Sequence, residues 1–168
     1  MSADQSRRFV GRLFTHMTWI VILGLFYLLF EDQLLQRENP NHNLTVVSAG
    51  EPVVLQRNRQ GHYVAPGEIN GVPVTFLLDT GATDISIPGA LSKKLRLKAG
   101  QPFYARTANG TIEVYSTVLD RVSLGGIEQR NVRASINPHM DSRTILLGMS
   151  FMQHLEMIQR GDTLTLKP

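Results

Sequence analysis

An apolar run that ends on a single acid constrains this chain more than any other feature in it. Residues 74–86 read Val-Thr-Phe-Leu-Leu-Asp-Thr-Gly-Ala-Thr-Asp-Ile-Ser, so a strand enters Asp79-Thr80-Gly81 and a second β-rich stretch leaves from Ile85. A carboxylate at the end of a buried strand, followed by a short hydroxyl residue and a glycine, is a way of holding one acid in a tight loop. Gly81 lets the backbone turn where a Cβ would clash. Backbone N–H groups in such a loop can orient the carboxylate, and the Thr80 hydroxyl can bond nearby main chain and brace the turn. An ordinary surface turn also accepts Asp, Thr and Gly. Such a turn has no need of Phe76-Leu77-Leu78 on one side and Ile85 and Ile87 on the other.

From Val53 onward the chain alternates short apolar runs with turn signals, the pattern of an all-β domain. Val53-Val54-Leu55 precedes a turn at residues 58–61, and residues 62–69 lead to Asn70-Gly71, a strong hairpin dipeptide. Residues 72–78 then deliver Asp79. Pro88 suits the first turn of a short helix over residues 88–95. Residues 101–108, Asn109-Gly110 and residues 111–119 read as a second long hairpin. Residues 120–124 and 127–136 continue the strands, and Ile145-Leu146-Leu147-Gly148 is a buried strand ending in glycine, with a short helix expected over residues 149–155. Residues 156–160 and 163–167 form a last hairpin.

Asp79-Thr80-Gly81-Ala82 matches the signature of the retropepsin-like aspartic proteases letter for letter, and Leu146-Leu147-Gly148 resembles the family's second signature, which packs beside the catalytic loop. The run Leu-Leu-Gly-Met-Ser-Phe is most similar to the bacterial members. The resemblance covers residues 53–167 and implies an acid-protease barrel, one lobe per chain, with one or two short helices. It implies that Asp79 is catalytic, supported by Thr80, Gly81 and Ala82, and that Ala108, Asn109 and Gly110 form the tip of a flap over the substrate. A glycine at that tip permits close approach and movement, although an ordinary surface hairpin would read the same way.

Residues 13–30 carry no formal charge and as a helix would be about 27 Å long, close to the hydrocarbon thickness of a bilayer. A cleaved signal peptide would need a small-x-small site, and Glu-Asp-Gln-Leu-Leu-Gln follows instead. A buried soluble helix would show a polar stripe, and this one is apolar all round. The division expected is therefore a cytoplasmic tail (1–12), a transmembrane anchor (13–30), a flexible tether (31–50) and the protease domain (51–168). Arg7, Arg8 and Arg12 precede the span and Glu31 and Asp32 follow it, which puts the amino terminus in the cytoplasm. The protease domain then lies outside the cytoplasm, as at the periplasmic face of a bacterial inner membrane.

The net charge of +3 lies mostly in that tail, and no basic patch interleaved with aromatics marks a nucleic-acid surface. Histidines 16, 42, 62, 139 and 154 lack metal-ligand spacing, no Gly-x-Ser-x-Gly elbow occurs, and neither metal nor cofactor is expected. Acid-protease chemistry needs two carboxylates around one water. The chain has a single Asp-Thr-Gly, and Asp84, Asp120, Asp141 and Asp162 lack the Thr/Ser-Gly that would follow. The expectation is a membrane-anchored endopeptidase whose Asp79 meets Asp79 of a second copy in a homodimer, acting on peptide or protein substrates. A peptide-binding or dimerising module that keeps the fold without turnover is the alternative.

Overall fold

The structure is a computed structural model that describes residues 3–44, 48–107 and 110–168. Its chain divides into two compact units, residues 1–37 and 38–168. The first is helix α1, which spans Ala3–Glu38. Its segment Gly11–Phe30 has a mean hydropathy of 2.0 and is long and apolar enough to cross a membrane. No side chain of residues 11–30 is buried within the chain. The two threonines in this segment hide their hydroxyls in the helix itself: Thr15 Oγ1 donates to the Gly11 carbonyl and Thr18 Oγ1 to that of Phe14, both at 2.9 Å. A helix can carry such residues through hydrocarbon because no polar group is left unsatisfied.

The second unit is a closed barrel with a small sheet added. Strands β2 (Val64–Ile69) and β3 (Val72–Leu78) form a hairpin with Ile69 paired to Val72. The two turn residues, Asn70 and Gly71, have φ of 52° and 78°, the double positive φ of a type I′ turn, whose twist matches that of the strands it joins. β3 runs parallel to β8 (Thr144–Leu147), which meets β4 (Ile85–Pro88) through Ser86 and Leu146. β4 lies parallel to β7 (Ile127–Asn137), which pairs antiparallel with β6 (Gly110–Leu124). β6 returns to β2 through Glu68–Ser123 and Ile69–Val122, closing six strands. At this closure Gly67 lies so near β6 that a Cβ there would collide with the Ser123 carbonyl and stand 2.6 Å from Phe76. β5 (Pro102–Thr107) pairs with β6 and forms the outer edge of the sheet.

The core is filled from alternate positions of these strands. Phe76, Ile85, Ile87, Leu119, Ile145 and Leu147 are fully buried, and helix α2 (Met149–Met152) adds Phe151. Burial of this kind contributes about 1.5–3 kcal/mol per large side chain. Strands β1 (Val53–Gln56), β10 (Thr163–Lys167) and β9 (Glu156–Arg160) form a separate antiparallel sheet. β10 is its centre, paired to β1 on one edge and β9 on the other.

Three local expectations need correction. Residues 31–38 continue α1, and residues 38–44, placed by the sequence reading in a flexible tether, are fastened to the barrel. Buried Asn41 accepts from Gln56 N at 2.7 Å and donates to the Gln56 and Val64 carbonyls at 2.9 and 2.7 Å, and Asn58 Nδ2 donates to the Glu38 carbonyl. The side-chain amide thus takes the place of a backbone partner for β1 and β2. The helix expected over 88–95 is a single 3-10 turn, Gly89–Leu91, followed by further turns. The one expected over 149–155 stops after four residues.

Candidate active site

Strand β3 ends at Leu78, and the loop of residues 79–84 begins with three backbone restraints. Asp79 N donates to the Leu147 carbonyl at 3.1 Å, continuing the β3–β8 ladder by one step, and Ala82 N donates to the Asp79 carbonyl at 3.2 Å. Gly81 N donates to Asp79 Oδ1 at 2.8 Å. This last bond sets the carboxylate's direction, since an N–H aimed at one oxygen favours one side-chain orientation. Asp79 is half-buried and Thr80 is exposed. The reason for a glycine at position 81 is local crowding rather than a left-handed backbone: a Cβ would lie 3.1 Å from Asp79 Oδ1. Among the described residues the Thr80 hydroxyl makes no hydrogen bond; backbone N–H groups hold the loop instead.

The second signature is where the sequence reading placed it. Leu77 pairs with Leu146 and Leu78 with Leu147, so the two motifs lie on neighbouring parallel strands. Gly148 is pressed against the loop: a Cβ there would stand 2.7 Å from both the Ala82 carbonyl oxygen and the Asp84 carbonyl carbon, and nearer still to the Asp84 oxygen. Just beyond it, Met149 N donates to the Ala82 carbonyl and Ser150 N to that of Thr83, each at 2.8 Å. Ser150 and Arg133 were not singled out from sequence. Ser150 Oγ accepts from Ile85 N at 3.1 Å and donates to the Arg133 carbonyl at 2.8 Å. Arg133 also sets its guanidinium 3.6 Å from Asp84 Oδ1. This is an ion-pair contact; Asp84 Oδ1 has no hydrogen bond among the described residues.

Of the expected flap tip, Ala108 and Asn109 lie outside the described residues. Gly110 is described, has φ of 116°, and pairs with Thr107 across the β5–β6 hairpin. A cavity of about 650 Å³ beside the loop is lined by Asp84, Lys98, Phe103, Val118 and Arg133, and Asp79 is not among its walls.

A single closed barrel, with one Asp-Thr-Gly loop backed by an apolar-apolar-Gly strand on the parallel neighbour, is the retropepsin-like aspartic protease fold with one lobe per chain. Residues 65–154, more than half of the chain, match the family described as "gag-polyprotein putative aspartyl protease", and the chain belongs to that family. A solved structure, a retropepsin-like aspartic protease from Rickettsia conorii, superposes with a TM-score of 0.59 at 27% identity, covering 69% of this chain and 90% of that one. Two curated relatives are an uncharacterized protein in the cobV 5' region of Sinorhizobium sp, 33% identical over 70% of this chain, and the uncharacterized protein RP867 of Rickettsia prowazekii (strain Madrid E), 29% identical over 62%. The chain spans about half the length of these curated relatives, 52% and 46%.

Proposed function

We propose that this chain is a membrane-anchored aspartic endopeptidase, active as a homodimer in which Asp79 of each copy faces one water. The observation that carries this reading is the state of Asp79: oriented by the Gly81 N–H, only half-buried, and followed by an exposed Thr80. One carboxylate, ionised, takes a proton from the water as it attacks the peptide carbonyl carbon. The other, protonated, donates to the carbonyl oxygen as the tetrahedral intermediate forms. Two carboxylates held this close share one proton because both cannot ionise together without strong repulsion.

Thr80, next to the acid in sequence, is exposed, and a two-fold partner would cover it. β10 already has a strand on each edge, so it has no free edge to lend to a partner, and the dimer is held through other surfaces. The β5–β6 hairpin, with Ala108, Asn109 and Gly110 at its tip, is the element suited to fold over a bound peptide. Segment Gly11–Phe30 anchors the protein, and the arginines that precede it keep the amino terminus cytoplasmic. The barrel then works on the far side of the membrane, which in a bacterial cell is the periplasm.

The deciding experiment is incubation of the full-length protein in detergent or liposomes with a mixed peptide pool, comparing wild type with Asp79→Ala. Cleavage by the wild type and none by the variant, at equal folded content, supports the assignment. Equal cleavage by both sinks it.

A further inference from the structure

We infer that Ser150 is a positioning residue for Asp79, acting through the exit of the acid's loop. It is 7% exposed, one of two buried serines among the described residues, and its amide, hydroxyl oxygen and hydroxyl proton are all used here. Its amide donates to the Thr83 carbonyl, its Oγ accepts from Ile85 N, and its hydroxyl proton goes to the Arg133 carbonyl. Two of those three partners, Thr83 and Ile85, flank Asp84 at the point where the loop rejoins the sheet. The third, Arg133, reaches Asp84 with its side chain. Thr83, Asp84 and Ile85 are thus tied to one hydroxyl residue and to the strand beneath it.

The entrance of the loop is fixed differently, by Asp79 N on Leu147. A loop held at both ends has one shape; freed at its exit, it can pivot about its entrance. Ile85 is fully buried, so without the hydroxyl its N–H would have neither water nor a protein acceptor. The backbone would relieve this by shifting the segment after Asp79, and the carboxylate's direction, set by Gly81 two residues on, would shift with it. A serine serves because its oxygen accepts and donates at once on a short stem. Alanine would fill nearly the same space and do neither.

The kinetic part of this inference rests on the proteolytic reading; the effect on loop order does not. The test uses full-length protein in micelles, labelled at glycine and isoleucine amides, as wild type, Ser150→Ala and Ser135→Ala. Ser135 is equally buried, lies in β7, and serves as the control for loss of a buried hydroxyl. In Ser150→Ala the Ile85 amide should exchange roughly tenfold faster. The Gly81 order parameter should fall from the rigid range near 0.85 toward the flexible range near 0.6. kcat should drop about tenfold with KM unchanged, as for a lost interaction that matters to the reacting geometry alone. Ser135→Ala should leave all three as they are. The inference is overturned if Gly81 keeps its order, if the Ile158 amide of β9 speeds up as much as that of Ile85, or if KM rises while kcat holds. If wild type and Asp79→Ala are equally inactive, the proteolytic reading fails, and the exchange and order measurements still decide whether Ser150 holds the loop.

Discussion

Replacing Gly148 with alanine tests the packing on which the whole site depends. The added Cβ would stand 2.7 Å from the Ala82 carbonyl oxygen and the Asp84 carbonyl carbon, and closer to the Asp84 oxygen. These are backbone atoms of the acid's own loop, so no side chain can rotate away. Restoring ordinary contact requires the loop and β8 to separate by roughly 1 Å. Overpacking of this severity costs about 3 kcal/mol, which for a unit of this size lowers Tm by roughly 10 °C. The displacement falls on residues 82–84, and misplacing a reacting group by about 1 Å lowers turnover on the order of 100-fold. Gly67→Ala is the matched control. Its Cβ would collide with the Ser123 carbonyl and with Phe76, away from the loop, so it should lower Tm comparably while the folded fraction keeps wild-type kcat. Thermal unfolding followed by circular dichroism, with cleavage assayed well below both transitions, separates the two effects. A Gly148→Ala protein with unchanged Tm and turnover, or a Gly67→Ala protein that loses turnover equally, would refute the argument.

Asn41→Ala removes three hydrogen bonds to Gln56 and Val64 and leaves backbone groups of both strands without partners, so the barrel should lose about 2–3 kcal/mol in denaturant unfolding. A loss within error of an exposed-site control such as Asn43→Ala would show that residues 38–44 do not grip the barrel. Because one carboxylate of the pair must be ionised and the other protonated, the rate profile should be a bell on the acid side of neutrality, its lower limb marking protonation of the base and its upper limb loss of the shared proton. A rate rising steadily into alkaline pH would exclude this chemistry. Specific activity should fall on dilution in detergent, tracking the dimer population, and fall less at equal protein amount in liposomes, where confinement raises the effective concentration. Full activity from a protein that sediments as a monomer would contradict the single-acid argument.

Much of this fold is written in local chemistry. Asn70-Gly71 specifies its turn because two consecutive positive φ values are cheap for that pair. The alternation on either side fixes which residues face inward. Asp79 stands out in the sequence because the strand that buries Phe76 stops on an acid. What could not be read depends on partners distant in sequence. Residues 31–50 read as a tether because asparagines and a proline signal turns whether water or protein takes their hydrogen bonds. Only the arrival of β1 and β2 turns Asn41 into a buried clasp. Ser150 gave no signal for the same reason: a serine in a short helix is unremarkable until Ile85 and Arg133 are brought to it. Thr80 shows the opposite error. Its hydroxyl was given a local bracing role that backbone N–H groups perform, and its exposure places it at the surface instead.

That exposure bears on how a second copy would complete the proposed site. Beyond the loop's own hydrogen bonds, residues 79–85 are held by Leu147 and Gly148 at the end of β8, by Met149 and Ser150 in α2, and by Arg133 in β7. The loop also carries an oriented, half-buried carboxylate and an exposed threonine. A site that used only its own chain would have to spend part of that surface on a second acid. In the proposed homodimer the loop's supports lie within the protomer, and the partner would bring the same two residues by two-fold rotation. Alignment within the protomer and assembly between protomers are therefore separable. Substitutions at Gly148 or Ser150 should damage turnover in a dimer that still forms, whereas substitutions at exposed Thr80 should weaken dimerisation in a loop that keeps its shape.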